Sequence, residues 1–167
     1  MLATVLDAPL TLRWRTRDDR AFFELLAKQA LGEYSLNASV DTVSMTEHLP
    51  TLVAVRGEAL GGLRSIQQVD GNAAPVGFAV VEIEPRGAHL QAIAVAERER
   101  GRGVGRALVR AAENFARSRG ARSFSLHTAQ ANVAGLSLFL AAGFQIEARL
   151  PRYYRGVYDA CRMKKSL

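Results

Sequence analysis

Apolar and polar positions alternate at the start of the chain: Leu10, Leu12 and Trp14 are interleaved with Thr11, Arg13 and Arg15, the pattern of a half-buried strand. The period then lengthens. Phe22, Phe23, Leu25, Leu26 and Ala30 follow Asp18 and Asp19, either of which can cap a helix, and Gly32 can end it. Residues 33–50 are mixed; a short second helix is expected near Val43 to Leu49, stopped by Pro50. Thr51 to Val55 is a strand. Residues 56–75 hold glycines at 57, 61, 62 and 71 with little periodicity, so a long hairpin loop is expected, with room for an extra strand around Arg64 to Val69. Val76 to Glu84 and His89 to Val95 are strands joined by a turn at Pro85-Arg86-Gly87. The run from Gly103 to Arg119 places Val104, Leu108, Ala111, Ala112 and Phe115 on one helical face, and Gly120 closes it. Ser123 to Thr128 is another strand, and a short helix and a closing hairpin follow. No repeat or linker interrupts the chain, which predicts one domain over residues 1–167.

The turn between the strand ending at Val95 and the next helix reads Arg100-Gly101-Arg102-Gly103-Val104-Gly105, followed by Arg106. Glycines let a backbone approach a ligand closely and adopt positive φ. The first N–H groups of a helix lack intrahelical partners and lie at the positive end of its dipole. A strand, a glycine-rich basic turn and a helix start therefore make a cradle for a polyphosphate. The dinucleotide fingerprint G-x-G-x-x-G fails, because Arg106 stands where the third glycine would be, and no Gly-Lys-Ser/Thr of a Walker loop follows.

What matches is Arg100-x-x-Gly103-x-Gly105, which resembles the acyl-CoA pyrophosphate loop, Q/R-x-x-G-x-G/A, of the GNAT superfamily of N-acyltransferases. A second block, Asn132, Phe139, Gly143 and Phe144 after a strand, is similar to the family's strand–Asn–helix–Leu-Tyr-x-x-x-Gly-Phe segment. Asn132 and Gly143 also suit helix capping with no ligand involved. The tail from Arg152 to Met163 resembles the family's closing hairpin. Together these cover roughly residues 76–164.

The resemblance implies an α/β (α+β) GNAT fold: a mixed, mostly antiparallel sheet with one splayed parallel pair and helices on both faces. It implies acetyl-CoA as cosubstrate, no metal, and transfer of its acetyl group to a primary amine of a small molecule, an amino acid or a peptide N-terminus. The alternative is a non-catalytic acyl-CoA-binding module. The implied cofactor contacts are Arg100, Gly101, Arg102, Gly103, Val104, Gly105 and Arg106 in the loop, the backbone of Ile93, Ala94 and Val95, and Asn132 with Phe139. Family members are often dimers, so a homodimer stays open.

Composition changes little. With 49% hydrophobic and 23% charged residues the chain is an ordinary globular mix. No apolar run is long enough to span a membrane, and the N-terminus lacks a signal-peptide pattern. The single cysteine, Cys161, can form no internal disulfide, which fits a cytoplasmic protein. The net charge of +6 raises nucleic acid as a partner, but the arginines are dispersed except at 98–106 and 149–155, and no aromatic–basic alternation appears, so none is expected.

Acyl transfer to an amine needs a base. His89, which begins the strand before the loop, is one candidate, because an imidazole titrating near neutrality suits the task. Simple alternation puts it on one face with Gln91, Ile93 and Val95. His127 is a second candidate, five residues before Asn132, and Glu82 and Glu84 reach the same region. Each also has an ordinary structural reading: an exposed strand start, a satisfied inner histidine, a solvated sheet face. The family's general-acid tyrosine is replaced by Phe139, which cannot donate a proton. Tyr153, Tyr154 or Tyr158 can substitute, and Tyr154 is the expected one, or the thiolate leaves unassisted. Gly135 stands where Ala is usual. The resemblance puts the acceptor site in residues 20–49, 56–75 and 147–158.

Overall fold

A computed structural model describes residues 9–31, 47–57 and 73–167. The expected helix near Val43 to Leu49 and the loop with its optional strand at 64–69 fall largely outside these residues. The described strands are β1 (Leu10–Trp14), β2 (Thr51–Arg56), β3 (Ala74–Glu84), β4 (Gly87–Val95), β5 (Ser123–Ala129), β6 (Gln145–Tyr154) and β7 (Tyr158–Ser166). The helices are α1 (Arg20–Leu31), α2 (Val104–Ser118) and α3 (Val133–Ala141). One sheet runs in the order β1-β2-β3-β4-β5-β7-β6. Only the β4–β5 pairing is parallel; the others are antiparallel. The mixed, mostly antiparallel sheet expected from the sequence is therefore present.

Each face of the sheet has its own core. On one side Val76, Ala79, Val81, Ala88 and Leu90 meet Val104, Leu108 and Ala112 of α2 and Phe139 of α3. On the other, Phe78, Val80, Ala92 and Ala94 meet Phe23, Leu26 and Ala27 of α1. Helices thus cover both faces. The start of α1 is tied to the edge strand by Arg13, whose guanidinium grips both oxygens of Asp19 at 2.6 and 2.7 Å. Burial alone would raise the Asp19 pKa, but Arg13 together with the Thr16 N–H and hydroxyl outweighs it and holds the carboxyl below its ordinary value.

Two local departures shape the site. Opposite β3 the register of β4 slips: Val80 pairs with Ala92 but Val81 pairs with Leu90, leaving Gln91 as an extra residue in a bulge. The bulge reverses the alternation. Ala88 and Leu90 face the α2 core, Ala92 and Ala94 face the α1 core, and Ile93 and Val95 return to the α2 side. The expectation that His89, Gln91, Ile93 and Val95 share a face is therefore corrected: His89 lies on the α1 side, paired with Glu82.

The second departure is a fork. The parallel pairing of β4 with β5 spans only Ala88↔Phe124, His89↔Ser125 and Leu90↔Leu126. Beyond Leu90, β4 continues to Val95 paired only with β3, while β5 continues to Ala129 paired only with β7. Among the described residues, the β5-facing edge of residues 91–95 thus carries main-chain N–H and C=O groups without a strand partner.

Candidate active site

At the wide end of the fork the chain leaves β4 through Ala96, passes a short 3₁₀ turn at Glu97–Glu99 and enters the basic loop. Gly101 and Gly103 have φ of +74° and +81°, and a Cβ added at either would meet nothing within 4 Å. Their requirement for glycine is therefore conformational, and the space over the loop is open. The first intrahelical bond of α2 runs from Ala107 N to Gly103 O at 3.0 Å. The N–H groups of Gly103, Val104, Gly105 and Arg106 have no intrahelical partner. Arg100, Arg102 and Arg106 are exposed, and the Arg100 Nε reaches Val95 O at 3.3 Å. The Val104 side chain is buried in the core, so only its amide can serve a ligand. Gly105 differs from the other loop glycines: a Cβ there would lie 3.2 Å from Leu138 Cδ2, so its small size lets α2 close on α3.

The loop is anchored from beneath. Glu99, buried within an otherwise charged and exposed turn, accepts from Arg56 Nε at 2.6 Å. This pair joins the end of β2 to the loop across 43 residues, which no local pattern announces. On the far side, the Asn132 carboxamide accepts from Gly135 N at 3.0 Å and caps α3, and its Nδ2 lies 3.4 Å from Thr128 Oγ1. A Cβ at Gly135 would come within 2.5 Å of Asn132 Nδ2, so glycine there makes room for the cap. Phe139 is buried against Phe144 in the main core.

At the narrow end of the fork, on the α1 side, the candidate bases come together. The rings of His89 and His127 are 5.1 Å apart. Tyr153 stacks on His127 at 4.9 Å, and Tyr154 stands edge-on behind Tyr153 at 5.0 Å. Glu82 pairs with His89 across β3 and β4 and accepts a hydrogen bond from Gln91 in the bulge. Burial lowers the His89 pKa, partly offset by the Glu82 charge. Burial, then His89 and Arg162, lower that of His127. Both imidazoles are therefore biased toward the neutral, proton-accepting form. Tyr154 is buried beside Ala129 and Ala160, and burial followed by the nearby Tyr153 and Cys161 raises its pKa well above the ordinary value. Cys161 is packed in the main core. Ser125 and Gln91, which hold His89 and Glu82, were not singled out by spacing, because their partners lie on neighbouring strands.

Among the described residues no three His, Cys, Asp or Glu side chains gather as metal ligands, and no helix is long and apolar enough to cross a membrane.

A model of the acetyltransferase (GNAT) family matches residues 20–144. The aminoglycoside N(6')-acetyltransferase type 1 of Klebsiella aerogenes is 42% identical over 83 residues, 45% of this chain and 53% of that protein. The match thus spans about half the length of that relative. Among solved structures, Ard1 from Thermoplasma volcanium superposes with a TM-score of 0.72 at 25% identity, covering 95% of this chain and 97% of that one. The putative acetyltransferase yncA from Salmonella typhimurium, solved with its cofactor acetyl-CoA, superposes with a TM-score of 0.72 at 19% identity, covering 96% and 95%.

Proposed function

The chain belongs to the acetyltransferase (GNAT) family, and from that premise we propose that it is an N-acetyltransferase that moves the acetyl group of acetyl-CoA to a primary amine in a ternary complex. One observation carries the reading: β4 and β5 part at Leu90 and Leu126, with an anion cradle at the wide end of the gap and paired imidazoles at the narrow end. The residues present fit the cosubstrate. The open loop at Gly101 and Gly103 and the free amides at the α2 start suit a pyrophosphate, with Arg100, Arg102 and Arg106 adding charge. The β5-facing edge of Ile93, Ala94 and Val95 suits the amides of the pantetheine arm, with Asn132 at the start of α3, while Phe139 is buried in the core and supports α3 from beneath.

The chemistry then follows from the groups at hand. An amine arrives as an ammonium and is not nucleophilic until it loses a proton. His89 or His127, with Glu82 beside them, accepts that proton directly or through a water. The amine nitrogen forms a bond to the thioester carbon as the carbon–sulfur bond breaks. A main-chain N–H on the unpaired β4 edge polarises the carbonyl oxygen. The leaving thiolate takes a proton from Tyr153, with Tyr154 behind it, or from water, and the acylated nitrogen gives its remaining surplus proton back to that donor, which leaves a neutral amide and the free thiol.

Acetyl-CoA binding by calorimetry, followed by free-thiol release against a panel of amines, amino acids and peptides, tests the reading. Micromolar binding with thiol release is expected. Absence of binding would overturn it. Phe139, in the place of the family's tyrosine, supports one alternative, a non-catalytic acyl-CoA-binding module. Binding without release across the whole panel is the result that favours it.

A further inference from the structure

His89 is held by a neighbour that neither its own strand nor the loop supplies. Its Nδ1 lies 2.8 Å from Ser125 Oγ, and that hydroxyl lies 3.3 Å from the main-chain oxygen of Ala88. A serine hydroxyl has one proton, whereas the carbonyl of Ala88 can only accept. If Ser125 points its proton at that carbonyl, its oxygen lone pairs face His89, and Nδ1 must be the protonated nitrogen. The chain then runs in one direction, Nδ1–H to Oγ–H to C=O, and each bond strengthens the next. The lone pair is left on Nε2, the nitrogen that Ser125 does not touch.

We propose that Ser125 is a positioning residue that holds neutral His89 in its Nδ1–H tautomer and so leaves Nε2 as the proton-accepting atom of the fork. The proposal rests on the base role suggested above, and it says which atom performs it. It also gives Ser125 a reason to sit at the last but one pairing before the strands part, His89↔Ser125. Among the described residues, the charged and titratable groups around the pair include Glu82 on β3, His127 on β5, Tyr153 on β6 and Arg162 on β7. Glu82 favours a proton on His89, while Arg162 and the neighbouring imidazole disfavour one on His127. None of them offers Nδ1 the serine's short contact.

Nitrogen-15 NMR of the histidine-labelled full-length protein, at a pH above the His89 titration, reads the tautomer without needing an acceptor. The wild type is expected to show a protonated Nδ1 and a bare Nε2 at His89. Ser125→Ala should shift the ring toward the Nε2–H form that free histidine prefers, and Ser125→Thr, which keeps the hydroxyl, should restore the wild-type pattern. A wild-type His89 already protonated on Nε2, or a tautomer unchanged in Ser125→Ala, would overturn the proposal. His89→Gln tests the underlying reading separately: undiminished thiol release in that variant would remove the base role from His89, whatever the wild-type spectrum shows.

Discussion

In the proposed reaction the two ends of the β4–β5 fork supply opposite kinds of group. At the wide end the useful atoms are main-chain amides, and side chains matter through the conformations they permit: Gly101 and Gly103 at positive φ, and the α2 start beyond them. At the narrow end the backbone serves as scaffold, and the useful atoms are imidazole nitrogens placed across two strands. A backbone site is damaged by adding atoms and a side-chain site by removing them. Substitutions at the two ends should therefore separate cleanly into affinity effects and rate effects.

The largest effect belongs to the narrow end. Replacing both histidines, His89→Gln with His127→Gln, should lower kcat by about 10²–10⁴-fold, the range for loss of a general base, while acetyl-CoA affinity stays within about twofold, because neither ring belongs to the cradle. Steady-state kinetics beside calorimetry decide this, and a large loss of acetyl-CoA affinity would erase the contrast. Next is the anchor under the loop. Glu99→Ala removes the buried carboxylate that accepts from Arg56 Nε and should cost about 1.5–3 kcal/mol in chemical denaturation, the range for a hydrogen bond to a charged group. A cost below about 1 kcal/mol would make the contact incidental. Gly103→Asp comes third. It forces an L-residue into left-handed backbone and places a negative charge in the proposed anion site, so acetyl-CoA should bind about 10–100-fold more weakly, corresponding to the ~1–3 kcal/mol of strain at such positions. At saturating acetyl-CoA the kcat should survive.

The contrast also explains what could be read from the chain alone. The loop's left-handed glycines and the start of α2 were legible because they are local: Arg100 to Gly105 carry both turn glycines and the first helical residues. The edge strand Leu10–Trp14 was legible for the same reason, since alternation is a property of one strand. The bulge at Gln91 was not, because it exists only as a mismatch between two strands, and missing it put His89 on the wrong face. The histidines were visible one at a time, but their meeting at 5.1 Å depends on β4 and β5 pairing for three residues and then parting. The Glu99–Arg56 contact was not legible either, because the two residues lie 43 positions apart and meet only in the fold.

The narrow end has a pH signature that the wide end lacks. Burial lowers both imidazole pKa values, so each ring keeps its lone pair to more acidic pH than the ordinary value of about 6.5. The acid limb of the pH–rate profile should accordingly fall below that value, and a limb at or above it would take the histidines out of the base role. The same shifts act on stability. Below about 6.5 the unfolded chain takes up protons that the folded rings resist. Folding should weaken as the pH drops from there toward the lowered values, and these groups should make no difference above the ordinary range.

The smallest expected effect sharpens the comparison most, because it lies inside the loop motif itself. Gly105→Ala adds its Cβ 3.2 Å from Leu138 Cδ2, the end of a flexible side chain that can turn aside. Unlike Gly103, Gly105 has ordinary helical backbone in the first turn of α2, where alanine is favoured over glycine by up to about 1 kcal/mol. The gain in helix propensity and the cost of moving Leu138 should nearly cancel. The residue-105 amide stays in place, so acetyl-CoA affinity should change by less than about threefold, on the order of 0.6 kcal/mol. Gly103→Ala, by contrast, keeps the charge of the site constant and adds only backbone strain, and it should weaken binding by about tenfold. Equal losses in the two alanine variants would mean that the ligand needs the space over both residues, and that close approach rather than left-handed backbone explains the loop's glycines.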